Sequence, residues 1–269
     1  MTGIHEGRVA LVTGGSTGIG SGAALALARQ GSAVAVHGLR LDESEAMAAR
    51  IREAGGRAIA LAGPIEDPAT APAAVAGTVE AFGRLDTVVT AAGIQTYGDT
   101  VETTDEIWDR TMAVNLNGVF YTCRAALPHL RASGAGSVVI VSSVQGSASQ
   151  PKVVAYATTK GALHTLGRSM SLDEAGYGVR VNTVSPGSVD TPMLRAAAAQ
   201  WSDGTPEGAA KNLADWGSVH PLGRVGTVDE LGEAIAFLAG PSASFITGAD
   251  IRVDGGLLAK AAVDLPNPR

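Results

Sequence analysis

Residues 8–20 of the chain are Arg8-Val-Ala-Leu-Val-Thr-Gly-Gly-Ser-Thr-Gly-Ile-Gly20. The apolar run before Thr13 predicts a strand covered on both faces, because it lacks the apolar–polar alternation of a half-exposed strand. The glycines at 14, 18 and 20 predict a tight turn that leads into a helix. Between a strand and a helix N-terminus, such a turn lets a pyrophosphate approach the backbone N–H groups. We therefore predict a dinucleotide site here.

The same alternation of strand and helix continues along the chain. The predicted strands are 8–13, 33–36, 58–61, 87–90, 137–141, 179–184 and 250–253. The predicted helices are 18–30, 42–54, 68–82, 107–132, 155–175 and 228–239. This order predicts an α/β fold: a single Rossmann-like domain over residues 1–269, with a doubly wound parallel sheet of about seven strands and helices on both faces. Residues 191–226 interrupt the alternation and are predicted to form a substrate lid, the alternative being a surface helical hairpin that only packs.

Composition excludes several classes of function. The 269 residues include 26 acidic and 20 basic side chains, for a net charge of −6, so neither nucleic acid nor an anionic membrane is an expected partner. One cysteine, Cys123, leaves no internal disulfide or thiolate zinc site, and the five histidines lack ligand spacing, so no metal is expected. Glycines interrupt the uncharged residues 9–28, which argues against a membrane span or signal peptide. We expect a cytoplasmic protein.

A hydrolase motif overlaps the glycine turn. Gly14-Gly-Ser-Thr-Gly18 matches G-x-S-x-G, the nucleophile elbow of α/β-hydrolases. Here the elbow would follow the first strand, which leaves no earlier strand to build an oxyanion loop. The chain also has no evident Asp and His pair at later strand ends. The hydrolase is therefore the weaker alternative.

The end of the second predicted strand bears on the choice of nicotinamide cofactor. The residues there are Val36-His-Gly-Leu-Arg40, with no acid to bind the 2′-hydroxyl of NAD. Arg40 can instead pair with the 2′-phosphate of NADP, with help from His37. The alternative is a solvated Arg40 paired with Asp42 or Glu43. We predict that NADP(H) is preferred and that NAD(H) remains possible.

Two further segments carry the candidate chemistry. In Tyr156-Ala-Thr-Thr-Lys160, the spacing of four places both side chains on one helix face. An ammonium beside a phenol favours the phenolate and lowers its pKa, which makes Tyr156 a candidate general acid/base. Ser143 follows the fifth predicted strand, at the edge of the sheet where open α/β folds bind ligands.

Together these motifs resemble the short-chain dehydrogenase/reductase family. The resemblance covers essentially the whole chain, and the subgroup looks like the 3-oxoacyl-carrier-protein reductases and sugar dehydrogenases. The matching segments are Thr13–Gly20, Asn115-Leu-Asn-Gly118, Ser142-Ser143, Tyr156-x-x-x-Lys160, Pro186-Gly187 with Thr191, and Val253-Asp-Gly-Gly256.

The resemblance implies a role for each matching residue. Tyr156 exchanges a proton with the substrate oxygen, Lys160 binds the nicotinamide ribose, Ser143 hydrogen-bonds the reacting oxygen, and Asn115 holds a helix kink and a proton-relay water. The expected cofactor-binding residues are Gly14, Ser16, Thr17, Gly18, Ile19, Gly20, His37, Arg40, Ala92, Gly93, Tyr156, Lys160, Pro186, Gly187, Val189 and Thr191. The expected substrate-binding residues are Gln95, Ser143, Gln145, Tyr156, Ser188 and Met193, with Tyr97, Pro151, Trp201 and Trp216 as further candidates. The expected reaction moves a hydride between NADP(H) and a carbonyl/secondary-alcohol pair.

Two segments depart from the family pattern. Thr90-Ala-Ala-Gly93 replaces a common Asn-Asn-Ala-Gly, and Pro64 stands where an adenine-binding Asp is usual. Two alternative functions stay open: an NAD-linked sugar 1-dehydrogenase and a non-catalytic dinucleotide-binding sensor. The resemblance also implies a homotetramer.

Overall fold

The computed structural model describes residues 3–260. Within that range it contains one seven-stranded sheet with the order β3-β2-β1-β4-β5-β6-β7. The strands are β1 (Val9–Thr13), β2 (Ala33–Gly38), β3 (Arg57–Ala62), β4 (Thr87–Thr90), β5 (Ser137–Val141), β6 (Arg180–Pro186) and β7 (Asp250–Val253). Every neighbouring pair is parallel. The predicted parallel doubly wound sheet is confirmed.

Helices cover both faces of this sheet. They are α1 (Gly18–Arg29), α2 (Leu41–Glu53), α3 (Thr70–Phe82), α4 (Asp105–Met112), α5 (Gly118–Ser133), α6 (Val154–Glu174), α7 (Pro192–Gln200), α8 (Pro206–Ser218) and α9 (Val228–Ala239). One apolar cluster joins the sheet to α1, α2 and α9, and a second joins the other face to α3, α5 and α6. Because both faces are buried, the central strands have the continuous apolar sequences seen above.

The predicted helix 107–132 is the main difference in secondary structure. It is divided into α4 and α5 by a π-helical turn, Ala113–Asn117. The buried side chain of Asn115 hydrogen-bonds the backbone of Ile94, outside the helix. A π turn inserts an extra residue into the helix, and such turns occur frequently at functional sites.

The segment 191–226 contains a helical hairpin made of α7 and α8, and its role as a substrate lid stays a prediction. Each helix begins with a threonine cap: Thr191 accepts a hydrogen bond from Leu194 N–H and Thr205 accepts one from Gly208 N–H. The Asn212 amide also donates to the carbonyl of Ala198, at 3.0 Å, and so joins the two helices. Pro192 and Pro206 lie at the first positions of the two helices, and Gly204 and Gly223 lie in turns with positive φ.

None of the helices between residues 3 and 260 has the length and apolar character needed to cross a bilayer. Over the same residues, no group of three or more His, Cys, Asp or Glu side chains is arranged to hold a metal ion. Cys123 is buried on α5, and burial raises the pKa of its thiol to about 12. That thiol is therefore protonated and unreactive at neutral pH.

Candidate active site

A cavity of about 440 Å³ opens at the carboxyl edge of the sheet. Its lining comes from the segments after β4, β5, β6 and β7, together with helices α1, α6, α7 and α8. The lining residues are Ile19, Gln95, Tyr97, Ser142, Ser143, Val144, Gln145, Ala148, Ser149, Gln150, Tyr156, Pro186, Gly187, Ser188, Val189, Thr191, Met193, Leu194, Ala197, Trp201, Trp216, Val219, Leu257 and Leu258. This volume lies in the ordinary range of small-molecule sites, about 300–1,000 Å³.

The glycine turn after β1 has the shape that a pyrophosphate site needs. Gly14 has a φ of +67°, and a Cβ there would lie 2.5 Å from the N atom of Ala92. Gly18 has a φ of +56° and opens α1, whose N-cap Thr17 makes no side-chain cap. The N–H groups of the first turn of α1 are therefore available to an anion, with the helix dipole favouring negative charge. The residues present fit a dinucleotide pyrophosphate.

Ser143 and Tyr156 line the cavity, and Lys160 follows Tyr156 by one turn of the same helix. Tyr156 and Lys160 occupy the first turns of α6, and both are buried. Lys160 Nζ donates to the carbonyl of Val141, the last residue of β5, at 3.1 Å and lies 5.5 Å from the centroid of the Tyr156 ring. Ser143 caps a short 3₁₀ turn, where its Oγ accepts from Gln145 N–H at 3.1 Å. The structure thus brings together three side chains that are up to 17 residues apart in the chain.

Burial controls the protonation of this group. Desolvation raises the pKa of Tyr156 to about 12, and a hydrogen bond with Ser143 acts in the opposite direction. Desolvation lowers the pKa of Lys160 to about 8. The sequence predicted a lowered pKa for the Tyr156 phenol, and for the free chain this prediction is wrong. Burial disfavours the charged phenolate, and a backbone carbonyl holds the Lys160 ammonium. The Tyr156 phenol therefore keeps its proton at neutral pH in the free chain.

Asn115 holds the segment after β4 against α6. Its Oδ1 accepts from Ile94 N–H at 2.8 Å, and its Nδ2 donates to the Ile94 carbonyl at 2.9 Å and to Thr159 Oγ1 at 3.3 Å. A Cβ on Gly93 would lie 3.3 Å from Asn115 Oδ1 and 3.8 Å from Lys160 Nζ. A π-helical turn occupies the place where the kink is expected, and the Asn115 side chain fixes the backbone beside Lys160. The relay water expected at Asn115 stays a prediction.

The segment after β6 is tied to the helical hairpin by a histidine. His220 donates from Nδ1 to the carbonyl of Trp216 at 2.8 Å and accepts at Nε2 from Ser188 N–H at 3.1 Å. A Cβ on Gly187 would lie 2.7 Å from His220 Nε2, so this contact needs glycine. His220 therefore couples α8 to the segment predicted to seat the nicotinamide. Sequence reasoning gave His220 no role, because a lone histidine has no motif.

The end of β2 differs from the sequence-based picture. The side chain of His37 is buried, neither ring nitrogen has a hydrogen-bond partner, and desolvation lowers its pKa to about 4. Arg40 is exposed and makes ion pairs with Asp42 at 2.6 Å and Glu43 at 3.6 Å. The structure does not bring His37 and Arg40 together as a phosphate-binding pair, because the neutral imidazole is enclosed in the sheet.

Gly38, the last residue of β2, lies beside two hydroxyl groups. A Cβ there would lie 2.6 Å from Ser16 Oγ and 2.7 Å from Ser44 Oγ. Hydroxyl groups, and not a carboxylate, therefore lie against Gly38. On the neighbouring strand end, Pro64 is exposed and contributes no side-chain donor to an adenine.

Most of the predicted substrate residues share the cavity. Gln95, Gln145, Ser188 and Met193 all line it, as do Tyr97, Trp201 and Trp216, whereas Pro151 is not among the lining residues. Tyr97 and Trp201 meet edge to face, with ring centroids 5.5 Å apart. Leu257 and Leu258 also line the cavity, and the sequence analysis missed them. The preceding Val253-Asp-Gly-Gly256 was the only signal nearby.

This chain is similar to known oxidoreductases over nearly its whole length. The family model described as enoyl-(acyl carrier protein) reductase matches residues 14–258. An uncharacterized oxidoreductase of Thermotoga maritima is 37% identical over 251 residues, covering 93% of this chain and 97% of that protein. Cyclohexanol dehydrogenase of Acinetobacter sp. strain SE19 is 33% identical over 261 residues, covering 97% and 98%.

The fold agrees as well. The ligand-free structure of aldohexose dehydrogenase from Thermoplasma acidophilum aligns with a TM-score of 0.90 and 33% identity, over 99% of this chain and 100% of that one. The sheet matches that of a solved relative, the glycine turn fits a dinucleotide, and the sequence similarity extends over nearly the whole chain. This chain belongs to the short-chain dehydrogenase/reductase family of NAD(P)-dependent oxidoreductases that act on alcohols and ketones.

Proposed function

We propose that this chain transfers a hydride between NADP(H) and an uncharged carbonyl/secondary-alcohol substrate, with Ser143, Tyr156, Lys160 and Asn115 as its machinery. The observation that carries this proposal is the position of Tyr156. Its buried phenol lines the cavity beside Ser143, with Lys160 one helical turn away on the same helix. A proton donor that touches the cavity at this depth can reach a bound carbonyl oxygen.

Each side chain has a distinct task in the reduction. The nicotinamide, when bound, supplies the hydride to the carbonyl carbon. Tyr156 donates its phenolic proton to the carbonyl oxygen, and Ser143 donates a hydrogen bond to that oxygen. Lys160 places a positive charge near the phenolate that remains, while Asn115 holds the backbone at Ile94 in place. In the oxidative direction the proton returns from the alcohol to Tyr156.

The cofactor preference rests on the end of β2. A carboxylate at this place would repel the 2′-phosphate of NADP, and Gly38 offers none. The hydroxyls of Ser16 and Ser44 lie beside Gly38, and the Arg40 guanidinium is exposed two residues further along the chain, at the N-cap of α2. For NADP, Arg40 exchanges its partners Asp42 and Glu43 for the phosphate, a bidentate charge-assisted contact.

A second candidate is an NAD-linked sugar 1-dehydrogenase. The two carboxylates paired with Arg40 favour it, because they neutralise the guanidinium and place negative charge beside it. The similarity to an aldohexose dehydrogenase points the same way. Competition between NADP and NAD separates the two candidates. A non-catalytic sensor remains the alternative from another class, and any turnover excludes it.

The function is tested by initial rates of NADPH and NADH oxidation with small ketones. We expect turnover with a higher kcat/KM for NADPH, and loss of about 10²–10⁴-fold in kcat for Tyr156→Phe, the usual contribution of general acid/base catalysis. Arg40→Asp is expected to weaken NADP binding more than NAD binding. The control is Arg50→Asp, the same change of charge at an exposed position on α2.

Each variant has an outcome that refutes its assignment. An unchanged rate for Tyr156→Phe removes Tyr156 from the chemistry. Equal effects of Arg40→Asp on both cofactors, or an equal effect of Arg50→Asp, remove the 2′-phosphate contact. A higher kcat/KM for NADH, together with oxidation of aldohexoses, establishes the sugar dehydrogenase instead.

We also propose that the chain assembles as a homotetramer. The broken helix α4–α5 and helix α6 form the expected dimer surface, and they expose apolar side chains: Phe120 is 45% and Leu172 is 81% exposed. Light scattering of the purified protein tests this, and a monomeric mass at micromolar concentration refutes it.

A further inference from the structure

We propose that the substrate is a compact, uncharged ketone or secondary alcohol that carries a second hydroxyl group, and that the amide of Gln145 accepts a hydrogen bond from this hydroxyl. This inference rests on the proposed function and specifies its substrate class.

The first support is the charge of the cavity. Among the residues that the structure describes, the lining contains no Asp, Glu, Lys or Arg. A substrate carboxylate or phosphate enclosed here would lose its hydration without gaining an ion pair, and burying an unpaired charge is costly. The enclosed part of the substrate is therefore neutral.

The second support is the space that remains for the substrate. Ile19 and the segment from Pro186 to Thr191 line the same cavity, so part of its 440 Å³ belongs to the nicotinamide. Tyr97 and Trp201 form an edge-to-face aromatic wall of the cavity, and burial raises the pKa of the Tyr97 phenol. A compact, largely apolar body fits against this wall, whereas a long chain cannot be enclosed.

The third support is an unsatisfied amide. Gln145 lines the cavity, and its Oε1 is buried with no hydrogen-bond partner. Its backbone N–H is already used by Ser143, which fixes the 3₁₀ turn that carries it. A buried acceptor left unpaired costs about 1–3 kcal/mol, so a donor that reaches it gains binding energy. In the free chain Oε1 faces away from the cavity surface, and no protein group among the described residues holds the amide. Rotation about the last side-chain bond therefore brings Oε1 to the cavity, where a hydroxyl on the substrate supplies this donor.

The test uses three ring ketones of similar size with NADPH: cyclohexanone, 4-hydroxycyclohexanone and 4-oxocyclohexanecarboxylate. We expect kcat/KM for the hydroxyketone to exceed that for cyclohexanone by at least about tenfold, and the carboxylate to be the poorest substrate. Gln145→Leu is expected to bring the ratio of kcat/KM for the hydroxyketone to kcat/KM for cyclohexanone close to one. Gln200→Leu, at an exposed position on α7 outside the cavity lining, is the matched control and keeps the ratio.

Ligand binding is followed separately through tryptophan fluorescence, since Trp201 and Trp216 line the cavity. Binding of the hydroxyketone without turnover supports the substrate class and refutes the proposed function. Three outcomes overturn the inference and leave the proposed oxidoreductase intact. They are turnover without preference for the hydroxyketone, a preference for the carboxylate, and a kcat/KM ratio of hydroxyketone to cyclohexanone that does not change in Gln145→Leu. Absence of both binding and turnover for all three ketones overturns the inference as well.

Discussion

Replacement of Asn115 by alanine is expected to destabilise the protein substantially. The Asn115 side chain is 1% exposed and satisfies both the N–H and the carbonyl of Ile94, at 2.8 and 2.9 Å. Alanine leaves both groups without their partner. Each such loss costs about 1–3 kcal/mol, and because these two bonds are only partly buried we expect a total of about 2–4 kcal/mol.

The π-helical turn provides a matched control. Asn117 lies two residues further along the same turn, and its side chain is exposed. Asn117→Ala therefore changes the same residue type in the same turn without breaking the contacts to Ile94. Surface substitutions of this kind usually change stability by less than about 0.5 kcal/mol.

Urea unfolding followed by fluorescence, together with thermal melts, measures both variants. For a chain of this length each kcal/mol shifts Tm by about 2–4 °C, so Asn115→Ala should lower Tm by roughly 5–15 °C relative to Asn117→Ala. A difference under about 1 kcal/mol between the two variants would refute the reasoning. It would mean that the segment after β4 is held by other contacts, or that water replaces the amide.

Three further predictions concern glycine packing and buried charge. Gly14→Ala should abolish dinucleotide binding, measured by cofactor fluorescence, because the added Cβ would lie 2.5 Å from the N atom of Ala92 and the φ of +67° disfavours alanine; retained affinity contradicts this. Burial lowers the pKa of His37 to about 4, below its ordinary 6.5, so stability should fall as pH drops from 6.5 to 4, and His37→Leu should flatten that profile and raise Tm. A lower Tm for this variant would indicate that the ring nitrogens are satisfied by water. Burial also lowers the pKa of Lys160 from 10.5 to about 8, so between these values the unfolded chain binds the proton, the folded chain does not, and stability should rise with pH. Lys160→Met should remove this rise in urea titrations at pH 7 and pH 10, and an equal change at both pH values argues against the shift.

The sheet was predictable because its signal is local. Runs such as Thr87–Thr90, Ser137–Val141 and Asp250–Val253 are bounded by turn residues, and the structure has the same bounds. The break of the helix predicted over 107–132 was not visible in the hydrophobic pattern. It depends on the contact between Asn115 and Ile94, which are 21 residues apart.

The candidate site was partly predictable. The spacing of Tyr156 and Lys160 placed them on one helix face, and Ser143 was expected at the same edge of the sheet. The direction of the Tyr156 pKa was wrong, because the sequence shows that a lysine is near but not how deeply the phenol is buried. Likewise, the pairing of Arg40 with Asp42 and Glu43 was an open alternative that only the local geometry could favour.

The sequence by itself determined the alternation of strands and helices around the sheet, the glycine turn and the residue types that carry the chemistry. These features follow from the local backbone preferences of glycine and from apolar periodicity, which act over a few residues. Only the tertiary structure decided how deeply Tyr156 and Lys160 are buried, that His220 joins α8 to the segment after β6, and that Leu257 and Leu258 reach the cavity. Desolvation and contact depend on residues far apart in the chain, and only folding brings these together.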